Sequence, residues 1–336
     1  MIKYTLLLFS VFVFNVSVGQ ISDFKSIDFT EADNVAKLYK GSDLNNLQLL
    51  AHRLTFKFTT EAEKFRAIYT WVCNNIKGDS YLHNKVSRKR SKLKNDSLRY
   101  VKWNTKYKKT IYKNLFEDKK TMCTGYAFLI KELCFFANIE CKIVDGYGRS
   151  VSSNVDTLEK ANHSWNAVKL NNKWYLCDAT WSSGYMISET LFLNDYNDGY
   201  FLTEPTLFAK NHYPLQKEWL LNNTSTASGF TTAPLVYGDT FKNRIAPISP
   251  NKMNVTINKE ECITFSFKNL ESNSNDKVSL VKFIGNNEHA FKIYDLKTEN
   301  SITSFKHQFN RKGFYDVHLK INNDIVATYT IEVTKS

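Results

Sequence analysis

Residues 122–149 constrain this chain most: Met-Cys-Thr-Gly-Tyr-Ala-Phe-Leu-Ile-Lys-Glu-Leu-Cys-Phe-Phe-Ala-Asn-Ile-Glu-Cys-Lys-Ile-Val-Asp-Gly-Tyr-Gly-Arg. Ala127, Ile130, Cys134 and Ala137 recur at steps of three and four, and Phe128, Leu129, Leu133 and Phe136 widen that face. The pattern predicts a helix packed on most of its sides. Asn138 ends it, and a short strand begins at Cys141. Cys123 stands at the helix start, where unpaired N–H groups and the positive end of the macrodipole favour thiolate over thiol. Taken alone, Cys123 reads better as a small buried hydrophobe, the common state of a free cysteine.

With 336 residues the chain has room for two domains and a sizeable core. Residues 1–19 belong to neither. Lys3 gives a positive start, Leu6 to Phe14 an apolar run, and Ser17-Val18-Gly19 a small-residue exit, so cleavage before Gln20 is expected. The run is short for a bilayer span, no cysteine follows it for lipid attachment, and no later segment reads as a span. The expectation is an exported protein, periplasmic or secreted, with no stable membrane span.

The net charge of +12 is concentrated. Residues 85–109 hold eleven Lys and Arg against Asp96 alone, a local net of +10. Such an insertion either contacts a polyanion (an anionic glycan, a membrane surface or an acidic protein) or is a solvated loop, the plainer reading. Nucleic acid is a poor partner for an exported chain without a recognition motif. The six cysteines are Cys73, Cys123, Cys134, Cys141, Cys177 and Cys262. Cys134 and Cys141 could close a short loop, or Cys134 could simply be core. No Cys-x-x-Cys or His-x-x-x-His spacing points to zinc, so no metal or other cofactor is expected.

Before the insertion, Leu44, Leu47, Leu50, Leu54 and Phe58 form one stripe, and Thr60 to Glu63 fits a capping box. The helix it opens carries Phe65, Ile68, Trp71, Val72 and Ile76, a core pattern ending near Gly78. After the central helix and a polar loop comes a second informative stretch, 162–181. Asn171-Asn172 tolerates the positive φ angles of a tight hairpin. With those two residues as the turn, Trp165 faces Asp178 and His163 faces Thr180. His163, Trp165, Trp174, Leu176 and Asp178 then share a sheet face, with His163 and Asp178 diagonal neighbours. A slip of one residue would part them.

A cysteine hydrolase needs a thiol of depressed pKa, an imidazole to carry the proton and a polar group to hold the ring. Cys123, His163 and Asp178 supply these types. Met122-Cys-Thr-Gly-Tyr-Ala, His163-Ser-Trp-Asn-Ala-Val and Trp174-Tyr-Leu-Cys-Asp-Ala-Thr-Trp together resemble the transglutaminase-like superfamily. Phe65-Arg-Ala-Ile-Tyr-Thr-Trp-Val-Cys-Asn-Asn-Ile and Tyr200-Phe-Leu-Thr-Glu-Pro-Thr-Leu-Phe-Ala-Lys-Asn-His-Tyr-Pro, followed by Trp219-Leu-Leu, are similar to its kyphoscoliosis-peptidase branch. The likeness runs from about residue 40 to 250 and is weakest through the basic insertion. Two departures stand out: Thr121 where the family usually has glycine two residues before the cysteine, and Ile76-Lys-Gly-Asp79 where Asn-Ile-Tyr-Asp is usual.

The resemblance implies an α+β fold with a papain-like core, a nucleophile helix packed on a small antiparallel sheet. It implies thioacyl chemistry on a protein or peptide amide by Cys123, His163 and Asp178. Trp165 and Trp181 read as pocket walls or as core, and His212 as a structural histidine beside Pro214. The Cys123 N–H is one oxyanion donor; no second is placed. Residues 20–222 form this domain, and the Ser/Thr-rich stretch 223–250, with Pro234, Pro247 and Pro250, is a linker or docking strap. Short alternating runs over 251–336 predict an immunoglobulin-like β-sandwich, with Asn322-Asn323 in its last hairpin. Three functions remain: a cysteine peptidase or amidase, a cross-linking transferase using the same groups, and a silent scaffold.

Overall fold

The computed structural model describes residues 20–335 except 94, 152, 159–160, 189–190, 222–223 and 272–275. Residues 1–19, where a leader is expected, lie outside the described residues. Three helices, α1 (Thr30–Leu38), α2 (Leu47–Thr55) and α3 (Glu61–Asn75), build one side of the core. Phe65, Ile68, Trp71, Val72 and Ile76 are all fully buried, as their spacing predicts. The α3 cap differs from a full capping box. Thr60 Oγ1 accepts the Glu63 N–H at 3.2 Å, but the Glu63 carboxylate takes the Thr60 hydroxyl rather than a backbone N–H.

The basic insertion is not a loop. A two-residue strand β1 (Lys77–Gly78) leads into a helical hairpin, α4 (Ser80–Lys92) and α5 (Ser97–Asp118). Asp79 and Asp96 cap the two helices by accepting the N–H groups of Leu82 and Arg99. Leu82, Val86, Ile111 and Leu115 recur at steps of four and are buried, whereas the surrounding lysines and arginines are largely exposed. Charge hid an amphipathic pattern. Strand β2 (Lys120–Thr121) returns parallel to β1, pairing Gly78 with Thr121.

Helix α6 (Cys123–Phe136) follows at once. Ala127, Leu129, Ile130, Leu133 and Cys134 are buried, while Phe136, read as part of that face, is exposed at the helix end. α6 packs against a four-stranded antiparallel sheet in the order β5-β4-β3-β8, from β3 (Cys141–Gly148), β4 (His163–Leu170), β5 (Lys173–Cys177) and β8 (His212–Pro214). Between β5 and β8 lie α7 (Ala179–Ser183), a hairpin of β6 (Gly184–Met186) and β7 (Phe192–Asn194), and α8 (Pro205–Phe208).

The strap is structured: α9 (Ala227–Thr232) and α10 (Gly238–Lys242) lead into β9 (Ile245–Ser249). β9 is an edge strand of the second domain, which therefore starts at Ile245 rather than 251. That domain is a β-sandwich. Its remaining strands are β10 (Asn254–Asn258), β11 (Cys262–Asn269), β12 (Val278–Ile284), β13 (Asn287–Ala290), β14 (Tyr294–Glu299), β15 (Ile302–Gln308), β16 (Gly313–Ile321) and β17 (Asp324–Thr334). The sheets run β10-β17-β16-β12-β13 and β14-β15-β11-β9 around Phe265, Phe267, Phe305, Leu319 and Tyr329. Asn322, at φ 54°, turns the last hairpin as expected. The molecule is thus α+β: a helix on a small antiparallel sheet, followed by a C-terminal β-sandwich.

Candidate active site

Cys123 is the first residue of α6, so its N–H has no intrahelical acceptor. The β1–β2 pair sets the first turn of α4 beside it: the Asp79 N–H donates to the Thr121 carbonyl at 2.7 Å. Leu82, Val86, Ile111, Met122 and Cys123 form one apolar cluster, so the basic hairpin supplies a wall around the thiol. Thr121 fits because residue 125 is glycine; a Cβ there would lie 1.9 Å from the Thr121 hydroxyl.

The second hairpin has the register read from its turn. Asn171 and Asn172 hold φ of 49° and 63°, and pairs run from Leu170–Lys173 to Asn166–Cys177. The ladder stops at Cys177, so Asp178 is placed by a cap instead: its Oδ1 accepts the Thr180 N–H at 2.8 Å and opens α7. Its Oδ2 meets His163 Nε2 at 2.7 Å. This leaves His163 Nδ1 available to Cys123, which lines the same cleft as His163. The structure therefore brings Cys123, His163 and Asp178 into one region, at and beneath the cleft.

Two glycines on β3 make room for the rings. A Cβ on Gly148 would sit 3.1 Å from His163 Cβ, and one on Gly146 would sit 2.5 Å from the Trp165 ring. Trp181 stacks on His163 at 4.6 Å and 21° and lines the cleft. Trp165 does not line it. At 1% exposure it is core, wedged against Phe208 and His212, because the inner face of β4 is covered by the segment that carries α8.

His212 is more than a structural neighbour of Pro214. Its Nε2 lies 3.2 Å from Asp178 Oδ2, so one carboxylate oxygen serves two imidazoles. His212 pairs with Gly148, next to the gap that seats His163. His163, Asp178 and His212 have ligand atoms within 4.8 Å of one another, a spacing a metal could use. Hydrogen bonds among the three already account for that arrangement.

Burial would push the Cys123 thiol up, but the hydrogen bond and charge of His163, with Arg90 farther off, hold it below its ordinary value. Burial would lower the His163 imidazole, yet the Asp178 charge and hydrogen bond, and then Cys123, raise it to about 10. Burial would likewise raise the Asp178 carboxyl; His163 and then His212 hold it far below the carboxylate range. His212 goes the other way, down to about 4 by burial, with Asp178 opposing. The site thus favours an imidazolium at His163, a carboxylate at Asp178 and a neutral imidazole at His212, and it makes a thiolate at Cys123 easier to form.

The cleft over this group has a volume of about 600 Å³. Cys123 (3% exposed) and His163 (8%) form its floor. His83, from α4, borders it, and Ser80 and Thr121 bring to it buried hydroxyls that have no hydrogen-bond partner among the described residues. The sequence marked Thr121 only as a departure from the family pattern, and gave no signal for Ser80 or His83.

Residues 48–179 match the model of the transglutaminase-like superfamily. The kyphoscoliosis peptidase of Homo sapiens is 32% identical over 212 residues, covering 60% of this chain and 27% of that protein. Hillarin of Drosophila melanogaster is 26% identical over 229 residues, covering 62% of this chain and 25% of that protein. Among solved structures, one described as "Crystal structure of a TGase" is 16% identical and covers 54% of this chain and 40% of that one, with a TM-score of 0.26. The chain spans about a quarter of the length of the curated relatives it matches.

Proposed function

Residues 48–179 belong to the transglutaminase-like superfamily and the chain to its kyphoscoliosis-peptidase-type branch, and on that footing we propose that it is a cysteine-dependent peptidase or amidase acting on protein or peptide amides. The observation that carries this reading is the placement of Cys123 and His163 on one cleft, with the His163 ring held by Asp178. The Cys123 thiolate attacks the amide carbonyl carbon, and the electron pair moves to oxygen. The free Cys123 N–H is the donor available to that oxyanion. His163 gives its proton to the departing amine, the C–N bond breaks and a thioester remains. Water, deprotonated by the now neutral His163, attacks the thioester; an acid is released and Cys123 leaves as thiolate. A second amine in place of water would give cross-linking by the same groups. Asp178 keeps the ring oriented throughout, with His212 and the α7 N–H holding Asp178 in turn.

Iodoacetamide labelling of Cys123 between pH 5 and 8 tests the reading. Fast labelling at pH 6 that falls at least about tenfold in His163→Ala supports an ion pair. Slow labelling that ignores the mutation would favour the scaffold.

Residues 1–19 are proposed to direct export; the N-terminal sequence of the protein recovered outside the cytoplasm, beginning at Gln20, checks this. The basic hairpin α4–α5 is proposed to meet an acidic surface. Its checks are salt-sensitive retention on heparin and loss of retention when Lys106, Lys108 and Lys109 become glutamate.

A further inference from the structure

One rim of the cleft is apolar and open to water. β6 and β7 pair antiparallel, with Tyr185 opposite Leu193 and Met186 opposite Phe192. Phe192 anchors the hairpin: its ring occupies the space a Cβ on Gly78 would need, 2.3 Å away. Tyr185, Met186 and Phe192 line the cleft that holds Cys123 and His163, and Val151 lines it from the loop after β3. Tyr185 is nevertheless 54% exposed, Met186 45% and Val151 69%. Leu193, paired with Tyr185, and Ile187, next to Met186, are exposed as well. Single exposed apolar side chains are ordinary, but a contiguous set that continues a reactive cleft is a recognition feature. A cleft of this volume holds a few side chains, not a folded surface.

We infer that the β6–β7 rim, with Val151, is the subsite for a bulky apolar side chain of an extended peptide substrate, adjacent to the amide that Cys123 attacks. This rests on the reading of Cys123 as nucleophile. A peptide laid across the Cys123 floor passes this rim, and a Leu or Phe side chain placed there loses water together with Tyr185 and Met186. A serine in the same place gains nothing comparable, so the preference is set by burial rather than by a directed polar contact.

The test uses the full chain and two dipeptidyl chloromethyl ketones that differ only in carrying Leu or Ser beside the reactive group. Wild type is expected to react with the Leu reagent about tenfold faster. In the double variant Tyr185→Ser, Met186→Ser that ratio is expected to fall to about threefold or less. Both positions are half-exposed, and an unchanged melting temperature verifies that the variant folds. A wild-type ratio near one, or a ratio the double variant leaves intact, overturns the proposal. If iodoacetamide shows that Cys123 is not reactive, the nucleophile reading fails by itself. The same ratio is then read from equilibrium binding of the Leu and Ser peptide amides to Cys123→Ser. Co-sedimentation with phosphatidylglycerol vesicles completes the test: lipid binding lost in the double variant, with no Leu preference, assigns the rim to a membrane surface and overturns the proposal.

Discussion

The position of the His163 ring depends on a residue with no side chain. Gly148→Ala would place a methyl group 3.1 Å from His163 Cβ and 3.2 Å from the Trp181 ring. The ring must shift, so the labelling rate of Cys123 at pH 6 should fall several-fold while the protein still folds. Gly146→Ala is harsher, because its Cβ would meet the Tyr213 carbonyl at 2.3 Å. It should lower stability by about 1–3 kcal/mol, read by urea unfolding. Asp178→Asn removes the charge that raises His163 to about 10, so the imidazole falls and rapid labelling should survive only at higher pH. The same shifts give stability a defined pH window. The Asp178 carboxyl, held far down, adds stability that is lost as pH falls below the carboxylate range. His212, down to about 4, adds stability that is lost as pH falls from the usual imidazole range toward 4. His163, up to about 10, adds stability that is full below the usual imidazole range and gone once pH rises through 10. Urea midpoints against pH should therefore fall at both ends, and His163→Gln should flatten the alkaline limb.

Elements differ in how openly the sequence declares them. The α3 and α6 cores and the Asn171-Asn172 hairpin were legible, because burial imposes a period and a two-residue turn imposes a backbone. That register anticipates His163 and Asp178 as near neighbours, although the cap of α7 rather than the ladder fixes the Asp178 carboxylate. The α4–α5 hairpin was not legible, since only a narrow line of Leu82, Val86, Ile111 and Leu115 faces inward among many cations. His212 was read as a structural histidine, but its contact with Asp178 was not legible, because it comes from a strand far along the chain and neither period nor spacing encodes it. The hairpin's role can be measured. Leu82→Ala leaves a void beside Met122 and Cys123. It should cost about 2–5 kcal/mol by urea unfolding and speed iodoacetamide entry to the thiol.

At the scale of the whole molecule, the strap joins the two domains by more than its covalent path. Arg149, at the end of β3, donates to the carbonyls of Ala233 and Pro234 at 2.6 and 3.0 Å. Leu235 exchanges backbone hydrogen bonds with Thr328 on β17, and the Tyr237 hydroxyl meets the Thr328 hydroxyl at 2.7 Å. Thr240 Oγ1 donates to the Val326 carbonyl at 2.5 Å, and Phe241 stacks on Tyr200 at 4.2 Å. Calorimetry should therefore record one cooperative unfolding transition. Thr240→Val, which leaves the Val326 carbonyl without that donor, should lower its midpoint. Tyr237 and Asp239 on this strap also wall the cleft. Thermodynamic reciprocity then ties occupancy at the thiol to the grip on β17: a covalent peptide adduct at Cys123 should slow amide exchange at Thr328 and Thr330, residues remote from the sulfur in sequence and in domain.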